Sequence, residues 1–166
     1  MKTGYIWDQI FLGHDTSAYH PENPLRVKDL DFWSMEKELQ GLEQVKNLND
    51  LGRTSALRIH SNDYLLRFEK DVDTGRQWFD YFDTKIRPDT FEVALRSVSA
   101  AVSLTKQVCE GKIKNGFAAI RPPGHHARVE KAKGFCFFNN VAICARYAQQ
   151  VFSLKNILII DWDVHP

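Results

Sequence analysis

Asn156-Ile-Leu-Ile-Ile-Asp161 is an unbroken apolar run of mostly β-branched residues, and its reading decides the fold class. Consecutive side chains of an extended chain point to opposite faces, so four apolar residues in a row suit an interior parallel strand covered on both sides. The preceding stretch, residues 140–152, carries Val141, Ala145, Ala148 and Phe152 at three- or four-residue steps and reads as a helix. Upstream of it, Gly116-Phe-Ala-Ala-Ile120 is short and apolar, like a buried strand. Strand, helix and strand in this order predict an α/β domain built on a parallel sheet with flanking helices.

The rest of the chain fits that class. Gly4-Tyr-Ile-Trp7 reads as a first strand. His20-Pro-Glu-Asn-Pro-Leu-Arg26 opens a helical stretch with Pro24 in its first turn, and Leu30, Trp33 and Lys37 continue one face towards Leu39 and Leu42. Ser61 is suited to cap a helix carrying Tyr64, Leu65 and Phe68. After Pro88, the positions Phe91, Leu95, Val98, Val102, Thr105 and Cys109 mark a long helix, with Gly111 at its C-terminal stop. Without repeats or linkers, residues 1–166 read as part or all of one domain.

Composition narrows the function classes. Hydrophobic residues at 43% and charged residues at 26% support a packed core rather than disorder. The formal net charge is +1, with neither sign in a long block, so a phosphate-binding nucleic-acid surface is not expected. No apolar run approaches the roughly 18 residues of a membrane span. The start has no secretory pattern, which predicts a cytoplasmic protein. Cys109, Cys136 and Cys144 are odd in number and lack a C-x-x-C spacing, so reduced thiols are expected rather than a disulfide framework or a cysteine zinc knuckle.

Three constellations carry chemistry. Alternation along an extended chain lets Asp161, Asp163 and His165 point the same way, which suits a Zn²⁺ or Fe²⁺ site; the plain alternative is a polar strand end that caps a following helix. Arg121-Pro-Pro-Gly-His125-His126 is a stiff loop holding paired imidazoles, suited to general acid/base work, or else a surface loop with incidental histidines. Gly134-Phe-Cys-Phe-Phe-Asn-Asn140 is either ordinary core or the apolar wall of a narrow pocket, with Asn139 or Asn140 capping the next helix. Cys136, between two Phe, has no evident group to stabilise a thiolate and is not expected to be a nucleophile.

In order along the chain, His20-Pro-Glu-x-Pro-x-Arg26, Ile59-His-Ser-x-x-Tyr64, Arg121-Pro-Pro-Gly-His-His-Ala127, Gly134-Phe-Cys-Phe-Phe-Asn-Asn-Val-Ala142 and Ile160-Asp-Trp-Asp-Val-His165 resemble the zinc-dependent histone deacetylase family, which includes bacterial acetylpolyamine amidohydrolases and acetoin-utilisation proteins. The Phe-Phe-Asn-Asn and Asp-Trp-Asp forms are closer to its class II and bacterial branch. The resemblance implies the N-terminal part of an arginase/deacetylase-like fold and hydrolysis of N-acetyl amides, with an acetyl-lysine peptide or an acetylpolyamine as substrate. It implies Asp163 and His165 as zinc ligands and His126 as general base. His125 takes an electrostatic role with Asp161 as its carboxylate partner. Phe135 lines an acyl-lysine tunnel, the Gly134 carbonyl accepts from the substrate amide, Arg26 sits by an inner cavity, and Asp83 or Thr84 falls on the rim. Backbone oxygens of Asp161, Asp163 and His165 are implied as ligands of a structural K⁺.

The family's third zinc ligand and its oxyanion donor have no counterpart here, and Pro166 stands where most relatives have His. The expectation is therefore a chain inactive alone that contributes two of three zinc ligands; a non-catalytic binding fragment is the competing reading. An arginase-type ureohydrolase is disfavoured by the Pro-Pro-Gly-His-His motif. Oligomeric state has no sequence signature.

Overall fold

The computed structural model describes residues 2–31, 41–46 and 50–165. A three-stranded parallel sheet has the order β2-β1-β5, with β1 at Thr3–Ile6, β2 at Leu42–Gln44 and β5 at Asn115–Ala118. Its register pairs Gly4 with Glu43 on one side and with Gly116 on the other. A two-stranded antiparallel ribbon, β3 (Trp78–Phe79) and β4 (Tyr81–Lys85), lies apart from it. The helices are α1 (Leu25–Lys28), α2 (Leu51–Ala56), α3 (Asn62–Asp73), α4 (Thr90–Cys109) and α5 (Asn140–Phe152).

The long helix α4 is the centre of the packing, because it is apolar on more than one face. Phe91, Ala94, Val98 and Val102 enter a core with Phe68, Phe137, Phe138 and Ile143. Val93, Ala100 and Leu104 enter a second core beside Ile6, Phe11 and Ile113 at the sheet. Phe68 stacks on Phe79 and Phe137, with ring centroids 4.6 and 4.7 Å away. Local signals set the helix ends. The Ser61 side chain accepts from the Tyr64 N–H to open α3, and Asn139 accepts from the Ala142 N–H to open α5. Gly111, at φ +70°, follows α4 in the left-handed conformation that favours glycine.

Several expectations require correction. The apolar run 156–161 forms no strand: Leu158 is 82% exposed and Ile160 71% exposed. A strand needs a hydrogen-bonded neighbour, and among the described residues none pairs with this run. The Gly116–Ile120 strand is shorter than expected and lies at the edge of the sheet, so Phe117 is half-exposed rather than buried. In α5, the buried side chains are Ile143, Tyr147 and Ala148, whereas Val141 faces outward. Pro24 caps α1 instead of lying within it, and α1 ends at Lys28. Leu42 belongs to β2 and not to a helix face; Trp33, Lys37 and Leu39 lie outside the described residues.

Candidate active site

The loop after β5 begins at Arg121, a guanidinium fully sealed from solvent. Burying a charge requires pairing and saturation of its donors. Arg121 Nε donates to Glu22 Oε1 at 2.8 Å, and Nη2 donates to Glu22 Oε2 at 2.9 Å and to the His14 carbonyl at 2.5 Å. Its Nη1 donates to the Phe11 carbonyl at 2.6 Å, while its own carbonyl accepts from Ser97 Oγ. The root of the histidine loop is thereby tied to α4 and to the segment between β1 and α1. His14, buried beside Arg121, is pulled down to about 3, first by burial and then by that cation.

His125 and His126 follow four and five residues later, their ring centroids 4.1 Å apart. His125 Nδ1 lies 3.0 Å from Asp161 Oδ2, and its Nε2 lies 3.7 Å from Asp163 Oδ2. Burial, and then the neighbouring His125, hold His126 below the usual histidine value. One ligand atom each from His125, His126 and Asp163 can be chosen so that all lie within 4.8 Å of one another.

The alternation expected of residues 161–165 is realised without a sheet partner. Asp161 and Asp163 face the histidines, whereas Trp162 and Val164 are 92% and 88% exposed. Asp163 N–H donates to Asp161 Oδ1 at 3.1 Å, and His165 N–H donates to Asp163 Oδ1 at 2.7 Å. These side-chain-to-backbone bonds hold the segment locally, as Asp commonly does in turns. His165 Nδ1 also lies 2.6 Å from Asp163 Oδ1. The two bonds from His165, backbone first, hold the Asp163 carboxyl below the usual range.

A cavity of about 570 Å³ opens beside these groups. It is lined by Arg26, Asp83, Gly134 and Phe135, together with His125, His126, Asp163 and His165. Gly134 (φ +54°) and Phe135 (φ +66°) both adopt the left-handed region. A Cβ on Gly134 would sit 2.6 Å from His126 Cδ2, so glycine allows the loop to close over that ring. Asp83 is exposed at the rim, whereas Thr84 is buried and donates to Asp83 Oδ1 at 2.9 Å. Asp161 does not line this cavity, and neither does Thr84, the alternative rim residue; Asp161 faces an adjoining groove while holding His125.

Sequence reasoning missed several wall residues. Glu22 and Lys133 line the cavity, and the His20 ring meets Phe135 edge-on at 4.9 Å. The His-Pro-Glu-x-Pro-x-Arg motif contains His20 and Glu22 as well as Arg26, but their partners Phe135 and Arg121 lie about a hundred residues away in the chain. Cys136 is buried, and burial pushes its thiol up to about 12, consistent with a structural cysteine.

Residues 20–166 match the histone deacetylase domain. The chain belongs to the histone deacetylase family. It is 44% identical over 192 residues to histone deacetylase 4 of Caenorhabditis briggsae, covering 99% of this chain and 21% of that one. It is 42% identical over 112 residues to the polyamine deacetylase HDAC10 of Rattus norvegicus, covering 64% of this chain and 19% of that one. The solved HDA15 HD domain superposes with a TM-score of 0.84 at 26% identity, covering 100% of this chain and 48% of that one. This histone deacetylase-family chain thus spans about a fifth of these curated relatives and about half of the solved domain, and its architecture is the N-terminal part of the deacetylase fold.

Proposed function

We propose that these 166 residues form the N-terminal part of a single zinc-dependent amidohydrolase domain that removes acetyl groups from acetyl-lysine peptides or acetylpolyamines. The observation that carries this reading is the convergence of His125, His126, Asp163 and His165 on one cavity with Phe135 in its wall. An apolar wall suits a long aliphatic arm, and a cavity with a few convergent polar groups suits a small acyl end.

The donor set fits zinc, since imidazole nitrogen and an ionised carboxylate are its common ligands. Asp163 and His165 would hold the ion, with Fe²⁺ compatible with the same donors, and backbone oxygens of Asp161, Asp163 and His165 would suit K⁺. Bound zinc supplies Lewis-acid charge that polarises an amide carbonyl and makes water acidic near neutral pH. The chain's own residues do the remaining work. His126, held below the usual histidine value by burial and by His125, would accept a proton from attacking water and return it to the departing amine nitrogen. His125 donates from Nδ1 to Asp161 Oδ2, which fixes its tautomer and orients the ring for electrostatic support. Gly134 would offer its carbonyl to the substrate amide and Asp83 would meet the substrate at the rim, while Arg26, half-exposed, lines the same cavity.

No helix among the described residues is long and apolar enough to cross a membrane. Substituting His126→Ala in the complete enzyme that contains this segment tests the reading: acetate release from an acetyl-lysine peptide falls by about 10²-fold or more while zinc content is retained. Unchanged turnover in that variant refutes the assignment of the base.

A further inference from the structure

The Ile59-His-Ser-x-x-Tyr64 motif takes no part in the chemistry above, yet it is buried and fully hydrogen-bonded to one segment. His60 Nδ1 donates to the Val129 carbonyl at 3.1 Å, and its Nε2 accepts from the Asn139 N–H at 3.0 Å. Tyr64 Oη donates to the Phe137 carbonyl at 2.7 Å. Arg67, one turn further on, donates from Nη2 to the Glu130 carbonyl at 3.0 Å and from Nη1 to Asp80 Oδ1 at 2.6 Å. Asp80 Oδ2 in turn accepts from the Ala132 N–H at 2.7 Å. Positions 60, 64 and 67 follow three- and four-residue spacing, so one line of side chains leading into and along α3 reaches residues 129–139.

That segment carries Lys133, Gly134 and Phe135 of the cavity wall. Its internal support is slight, consisting of isolated bridges between Arg128 and Lys131 and between Lys133 and Cys136. It also holds a phenylalanine at φ +66°, a conformation that persists only where surrounding contacts over-determine it. The contacts from α3 and Asp80 clamp the chain on both sides of that turn, at residues 129–132 and 137–139, beside the core packing of Phe137 and Phe138. The Arg67 guanidinium is itself fixed over the faces of Phe79 and Tyr64, at 4.5 and 5.4 Å from the ring centroids.

We infer that His60, Tyr64, Arg67 and Asp80 are positioning residues that hold the Gly134–Phe135 wall against His126 and so set how tightly the cavity grips a substrate arm. The inference rests on the deacetylase reading for the word substrate, but not for the geometry. A wall that contacts the arm equally before and during reaction contributes uniform binding, so loosening it raises KM and leaves kcat nearly unchanged.

The test compares Arg67→Lys and Tyr64→Phe with Arg76→Lys. Lysine cannot span Asp80 and the Glu130 carbonyl together, and Arg67 is 42% exposed, so that variant can fold even if Tyr64→Phe does not. Arg76 pairs with Asp71 at 2.9 Å and serves as a surface control with no hydrogen bond to residues 129–139. In Arg67→Lys, hydrogen exchange at the Ala132 amide speeds up about fivefold, and KM for an acetyl-lysine peptide rises about fivefold with kcat within about twofold. Arg76→Lys leaves both at the unaltered value. Unchanged exchange and KM in Arg67→Lys, or an equal rise in Arg76→Lys, overturns the inference. All variants are made in the complete enzyme that contains this segment; if that enzyme, unaltered, cleaves no acetyl amide, the deacetylase reading falls, and the exchange rates alone decide whether the wall is held from α3.

Discussion

Arg121 and Glu22, 99 residues apart, meet through two parallel hydrogen bonds of 2.8 and 2.9 Å with both side chains sealed from water. Such a pair is expensive to form, but far more damaging to break on one side, because the remaining charge stays buried. Glu22→Ala is therefore expected to destabilise the fold by about 3–5 kcal/mol. Arg121→Lys loses the fork geometry and also costs stability, by a smaller amount. Urea midpoints of the two variants check the order, and a Glu22→Ala midpoint equal to the unaltered one contradicts it.

His14 makes stability depend on pH. Its folded value of about 3 lies below the unfolded 6.5, so between these limits the unfolded chain binds more protons. Stability is complete above the unfolded value and is lost as pH falls below it. By pH 5 the expected loss from this residue is about 2 kcal/mol. His14→Gln keeps a polar side chain near Thr90 Oγ1 but cannot titrate, so its melting temperature should fall less between pH 7 and pH 5 than that of the unaltered protein. Parallel declines in the two proteins rule out His14 as the source.

What could be read from sequence was what local chemistry determines. Ser61 and Asn139 announce helix starts through their own side chains, and the 161/163/165 alternation is a property of an extended backbone, realised even without a sheet. The family motifs carried most of the site because each is a short contiguous block. What stayed hidden depends on pairing across long separations. Nothing in Arg121 says that its partner is Glu22, nor in Asp80 that it receives the Ala132 amide. The run 156–161 misled for the same reason, since apolar β-branched composition expresses a preference, but hydrogen-bonded neighbours make a strand. The ribbon β3–β4 and the short α2 carry too few residues for periodicity to register.

Gly134 is the tightest steric constraint on the proposed base. Gly134→Ala both strains a left-handed backbone and drives a methyl group to 2.6 Å from His126 Cδ2. The imidazole must turn or the loop must lift, and misplacement of a reacting group by about 1 Å can cost about 10²-fold. In the complete enzyme, a kcat loss of that order with zinc content unchanged is expected from steady-state assays and metal analysis. Near-normal kcat would mean that His126 does not need its observed position.

The two carboxylates of the 161–165 segment should separate cleanly, because they touch different things. Asp161 bonds His125 Nδ1, whereas Asp163 pairs with His165 and contributes to the donor cluster. Asp163→Ala is therefore expected to lose zinc, read by metal analysis after dialysis, and activity with it. Asp161→Asn keeps the size of the side chain but gives up the charge that holds the imidazole, an outer partner whose loss typically costs about 10–100-fold in activity. Zinc should remain bound in that variant, with turnover reduced. Equal zinc loss in both would mean that Asp161 acts on the metal directly and that His125 is not its principal partner.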